Sequence, residues 1–83
     1  MSKVIMGIKL MERMKSASKV QELLSDYGCD ISTRLGLHVA APDACSPHGL
    51  IILEFIDDAD DAAAEFEEKL AKIADVKVQK MVF

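Results

Sequence analysis

Residues 49–56 read GLIILEFI. Leu50, Ile52 and Ile56 alternate with Ile51, Leu53 and Phe55, so a strand built from this stretch is apolar on both sides. β-Branched and aromatic residues at this density suit a central strand. One set would face a layer of helices. The other needs a cover of its own, so the stretch predicts both a layered fold and an assembled protein.

The same test, carried outward, gives the remaining elements. Residues 3–11, KVIMGIKLM, read as a strand with Val4, Met6, Ile8 and Leu10 on one side and Ile5 and Met11 on the other. Residues 15–27 read as a helix whose Ala17, Val20, Leu24 and Tyr27 recur at i, i+3, i+7 and i+10, broadened by Leu23. Gly28 stands where a left-handed C-terminal cap is expected. Residues 29–37, CDISTRLGL, read as a strand with Ile31, Thr33, Leu35 and Leu37 on one side. Ser32, Arg34, Gly36 and His38 make the other side polar, as in an edge strand. Residues 59–74 read as a second helix, in which Ala63, Phe66, Leu70 and Ile73 repeat the spacing of the first. Asp57 and Asp58 are its capping candidates, and Glu65–Lys69 and Glu68–Lys72 are favourable i,i+4 pairs. Residues 76–83, VKVQKMVF, close the sheet. Residues 39–48 are expected to form a loop, because Pro42 and Pro47 lack the backbone donor that strand pairing uses.

The order β-α-β-β-α-β, in two similar halves, is the split βαβ or ferredoxin-like arrangement. It predicts an α+β fold for residues 1–83 as a single domain. Four antiparallel strands would carry two helices on one face, with strands one and three in the middle. For 83 residues the usual stability range is roughly 4–12 kcal/mol. With an apolar open face, the chain is expected to work as a homo-oligomer, a dimer or tetramer, and Ile52 is the natural interface residue on the even-numbered side of strand three.

Composition removes several functions. The net charge is −4, with no basic run or basic helix face, which tells against nucleic-acid binding. No stretch of about 18 apolar residues predicts a membrane span. MSKVIMGIKL lacks the apolar segment and cleavage site of a signal peptide, so a cytoplasmic location is expected, with Cys29 and Cys45 as thiols. No nucleophile elbow or phosphate loop occurs, and a Cys45–His48 dyad has no third orienting group, so the chain does not read as an enzyme.

The site candidates lie around strand two. His38, Cys45 and His48 are donors suited to a transition metal, and the Cys-x-x-His spacing can place two of them on one ion, with Asp43 as a further oxygen donor. The first reading of the same stretch is a solvated loop, with a partner contact as a further alternative, and no cofactor is required. Arg34 and Gly36 could hold an anion or carboxylate at an interface, or be an edge arginine beside a strand-bending glycine. Asp57, Asp58, Asp60 and Asp61 lack the glycine-interrupted loop and terminal Glu of an EF-hand and read as a solvated helix start.

The segments KSASKVQELL, ISTRLGL and VKVQKMVF, in this order of elements, resemble the small ACT-like proteins of the iron-only hydrogenase system regulator family. The resemblance covers essentially the whole chain. Its most specific pieces are Lys15-Ser16-Ala17 and Arg34-Leu35-Gly36-Leu37. It implies an ACT-like ferredoxin fold, an oligomer, and a sensory role linked to hydrogenase expression or maturation through a small-molecule effector or a protein partner. The family has no established ligand, so no catalytic residue carries over. The usual ACT glycine after strand one is replaced by Met11-Glu12-Arg13-Met14, which tells against amino-acid binding in the ordinary ACT manner. The expectation is a non-catalytic regulatory module. The alternatives are a metal-binding sensor or chaperone, and an assembly protein without a ligand.

Overall fold

A computed structural model describes residues 2–10, 13–41, 44–73 and 76–83. The elements are β1 (Val4–Leu10), α1 (Arg13–Asp26), β2 (Ile31–Ala41), β3 (Ala44–Phe55), α2 (Asp60–Leu70) and β4 (Val76–Val82). The strands form one antiparallel sheet in the order β2-β3-β1-β4, the ferredoxin-like, ACT-like arrangement. The two most apolar strands are its centre.

Alternation decides which residues meet the helices. Val4, Met6, Ile8 and Leu10 of β1 and Ile51, Leu53 and Phe55 of β3 are buried. Onto them α1 presents Val20, Leu23 and Leu24, with Tyr27 just beyond its end, and α2 presents Ala63, Phe66 and Leu70. Phe66 lies at the centre of this layer. Tyr27 meets it edge-on at 5.3 Å and Phe55 at 5.7 Å between ring centroids, the favourable T-shaped geometry. The Tyr27 hydroxyl donates to Glu65 at 2.8 Å, so the polar tip of a buried ring reaches the rim of the core.

The helix ends differ from expectation. Gly28 does not adopt a positive φ; its N–H donates to the Ser25 carbonyl at 3.2 Å, and a Cβ there would lie 3.3 Å from that oxygen. Glycine serves close approach here rather than handedness. The left-handed residue is Asp58, with φ 61°. Its carboxylate accepts from the Ser2 N–H at 2.9 Å and its own N–H donates to the Ser2 carbonyl at 3.0 Å, which stabilises a conformation that Asp tolerates better than most residues. Asp58 therefore holds the turn. Ala59 is the N-cap of α2, with no side-chain cap bond. This helix ends at Leu70, earlier than the periodicity predicts.

The expected loop at 39–48 is corrected. β2 runs to Ala41 and β3 begins at Ala44, with Ala40 opposite Cys45 and Ala41 opposite Ala44. Between the pairs His38–Gly49 and Ala40–Cys45 the register shifts, so that Ser46, Pro47 and His48 oppose Val39 alone. A proline in such a bulge has no ladder bond to donate. On its other side β3 pairs with β1 no further than Gly49 among the described residues, so none of them offers Pro47 a second ladder. Pro42 and Asp43 lie outside the described residues. A second shift separates Ile31, opposite Phe55, from Thr33, opposite Glu54. It turns Ile31 toward the core and breaks the alternation expected to run from Ile31 to Leu37.

Candidate functional site on the open sheet face

Directly opposed residues in an antiparallel ladder share a face. The register therefore writes the face away from the helices as three rows. Thr33, Glu54, Ile5 and Met81 form the first; Leu35, Ile52, Gly7 and Gln79 the second; Leu37, Leu50, Lys9 and Lys77 the third. Lys3 and Phe83 extend the grid by one pair, through mutual backbone bonds of 3.2 and 2.8 Å. Leu35, Leu37, Leu50, Met81 and Phe83 are exposed on this face, the last at 73%. Ile5 and Ile52 between them are only half-covered.

The first row carries a charge network. The Lys3 ammonium bridges Glu54 at 3.2 Å and Asp57 at 2.8 Å and donates to the Phe55 carbonyl at 3.1 Å, while the Thr33 hydroxyl donates to Glu54 at 2.7 Å. The Thr33 hydroxyl, and then Lys3, hold the Glu54 carboxyl below its ordinary range; Tyr27, and then Lys69, do the same for Glu65 on the helix side. A carboxyl depressed in the folded chain stabilises it above the ordinary value of 4.5, and that contribution is lost as pH falls through the folded value. The urea midpoint is expected to be level from neutral pH down to about 5 and to fall below about 4.5. In the double variant Thr33→Val, Tyr27→Phe the acid-side fall should be smaller; an unchanged profile would show that these bonds do not set it.

Gly7 occupies the middle of the grid. It is not there for a positive φ, and a Cβ added to it would meet only the Ile52 Cδ1 at 3.8 Å and the Gln79 carbonyl at 3.9 Å, ordinary contacts. The glycine leaves the surface indented. One hollow of about 350 Å³ is lined by Gly7, Lys9, Leu50, Lys77 and Gln79. A neighbouring one of about 250 Å³ is lined by Ile5, Gly7, Ile52, Gln79, Lys80 and Met81.

Of the residues singled out in the sequence, Ile52 lies in the middle row of this face. Arg34 and Gly36 lie together on the opposite side, at register positions facing Leu53 and Ile51, and both are exposed there. Nothing lies within 4 Å of a Cβ placed on Gly36. The hairpin ladder brings the backbones of His38, Cys45 and His48 into one arm, with His38 opposite Gly49 and Cys45 opposite Ala40. Their side chains lie outside the described residues, as do Met11 and Glu12. Among the described residues no cluster of three metal-ligating side chains occurs, and no helix is long and apolar enough to cross a membrane. Gly7, Lys9, Lys77, Met81 and Phe83 were not singled out by sequence reasoning. Their signal was the period-two series Lys3-Ile5-Gly7-Lys9 and Lys77-Gln79-Met81-Phe83.

No family model matches the chain, and no curated protein matches it. Among solved structures it is similar to an uncharacterized protein from Thermotoga maritima, with 25% identity and a TM-score of 0.81 over 100% of this chain and 99% of that one. It is also similar to a nitrogen regulatory PII-like protein from Thiomonas intermedia K12 bound to ADP, AMP and bicarbonate. There the identity is 12% and the TM-score 0.56, over 100% of this chain and 93% of that one. A dimeric ferredoxin-like protein from an uncultured marine organism is similar at 8% identity and a TM-score of 0.51, over 99% of this chain and 92% of that one.

Proposed function

We propose that the chain is a non-catalytic regulatory module that acts as a homo-oligomer, with the open sheet faces of two copies packed together. The observation that carries this reading is the patch of Leu35, Leu37, Leu50, Met81 and Phe83, exposed on one face around the half-covered Ile5 and Ile52. Large contiguous apolar surfaces on small proteins mark contacts. Four strands about 4.8 Å apart and roughly 20 Å long span on the order of 400 Å² in plan, the scale of the patches that mark contact sites. The regulatory part is supported by the regulatory PII-like neighbour, and the oligomer by the dimeric one. Sedimentation velocity at micromolar concentration tests the assembly: species at multiples of 9.1 kDa are expected, and a 9.1 kDa species alone overturns it. A link to iron-only hydrogenase expression or maturation rests on the sequence resemblance. It is tested by deleting the gene in a host that carries such a hydrogenase and measuring hydrogen evolution.

A second reading, a metal sensor, is favoured by the ladder that gathers His38, Cys45 and His48 into one hairpin arm. Thiolate ligation makes affinity rise with pH. Zn²⁺ or Ni²⁺ titration should then show binding at least tenfold weaker in the Cys45→Ser, His48→Ala variant. Equal, weak binding by both proteins eliminates this reading.

A further inference from the structure

We propose that the hollow over Gly7 binds a small organic carboxylate, with the ammonium groups of Lys9 and Lys77 on its charge and Leu50 against its apolar body. The inference rests in part on the assembly reading above, because a second copy would close the hollow from the solvent side.

Three observations carry it. Lys9 and Lys77 stand directly opposite each other on adjacent strands. Like charges in that position destabilise a sheet, so folding alone gives no reason for the pair. Among the described residues neither has an ion-pair partner, whereas the remaining lysine of this face, Lys3, is tied to Glu54 and Asp57. Among the described residues the side-chain carboxylates at this face, Glu54 and the adjoining Asp57, are already engaged by Lys3, and Glu54 by Thr33 as well. Packing a second copy on this face would desolvate the pair, and desolvated charge without a counter-charge is costly. A bound anion removes that cost.

The shape defines the rest of the ligand. Gly7 lines the floor of the hollow without a side chain, although a Cβ there would fit without a clash. Its volume of about 350 Å³ is at the small end of ligand sites. Leu50 gives it an apolar wall, and the Gln79 amide a donor and an acceptor. A zwitterionic amino acid would set its own ammonium beside two lysines, so the chemistry favours a simple or 2-oxo carboxylate with a short aliphatic chain.

Isovalerate is the probe, with its neutral amide and inorganic phosphate as controls, titrated by calorimetry while sedimentation reports the assembly. Saturable binding of isovalerate is expected, at least tenfold tighter than isovaleramide and tighter than phosphate. Lys9→Met, Lys77→Met should weaken it at least tenfold. Gly7→Ala, which sets a methyl group in the floor, should weaken it while leaving the circular dichroism and melting temperature near those of the natural chain. Lys77→Gln alone serves if the double variant fails to fold. No saturable binding, equal binding of acid and amide, phosphate binding as tightly, or retained affinity in the lysine variants overturns the proposal. An assembled chain that binds nothing defeats the site and spares the assembly reading. A monomer that binds isovalerate as described defeats only the assembly reading.

Discussion

Phe66→Ala is expected to lower the stability of the chain by about 3–5 kcal/mol, the usual cost of removing a fully buried phenyl ring. Phe66 is 0% exposed and makes T-shaped contacts with two other rings, Tyr27 just past the end of α1 and Phe55 of β3. Its loss removes the contact that joins both helices to the sheet, and the neighbours cannot collapse into the space without leaving their own positions. At about 4–8 °C per kcal/mol for a domain of this size, the melting temperature should fall by at least roughly 12 °C. The control is Phe83→Ala, the same chemical change at a residue 73% exposed, which should move the stability of dilute, separated chains by less than about 0.5 kcal/mol. Comparable losses in the two variants would mean that the aromatic cluster does not organise the core.

Ile52→Lys is expected to separate the subunits by weakening assembly at least roughly 100-fold, since an unpaired charge buried in an interface costs several kcal/mol. Ile52 stands in the middle row, beside the indentation at Gly7, so it cannot escape to the rim. The isolated chain should still fold, because this side chain points away from the helices. Leu53→Lys, one residue along and 0% exposed, should unfold it instead. Sedimentation and thermal melts on the two variants separate the outcomes. An Ile52→Lys protein that unfolds without first dissociating would show that the open face is not where copies meet.

Much of this architecture was legible because period is a strong signal when a residue pattern serves burial. Val4, Met6, Ile8 and Leu10 alternate without interruption and are all buried. Val20, Leu24 and Tyr27, and Ala63, Phe66 and Leu70, mark the two helix faces equally well. What was not legible depends on partners distant in sequence. Pro47 reads as a strand breaker, and only the bulge opposite Val39 and the early end of β1 make it harmless. Asp58 takes the left-handed conformation expected of Gly28 because Ser2, far away in sequence, bonds both its backbone and its side chain. The Lys9–Lys77 pair is invisible until β1 and β4 are placed in register, since nothing in either strand announces the other.

The register also orders events in time. Ala41 and Ala44 pair almost as neighbours in the sequence, whereas joining Leu10 to Val76 closes most of the chain into a loop. Closure entropy grows with the logarithm of loop length, so the β1–β4 junction costs on the order of 3 kcal/mol more to bring together than the β2–β3 hairpin. Local pairing comes first in such a chain, and β4 docks late. β4 is an edge strand with no fully buried residue, held among the described residues by one ladder, by the half-buried Val76 and Val78 against the core and by the Lys80–Glu67 bridge of 2.8 Å. It should therefore open more readily than the central strands, and its amides should exchange with solvent well before those of β1 and β3.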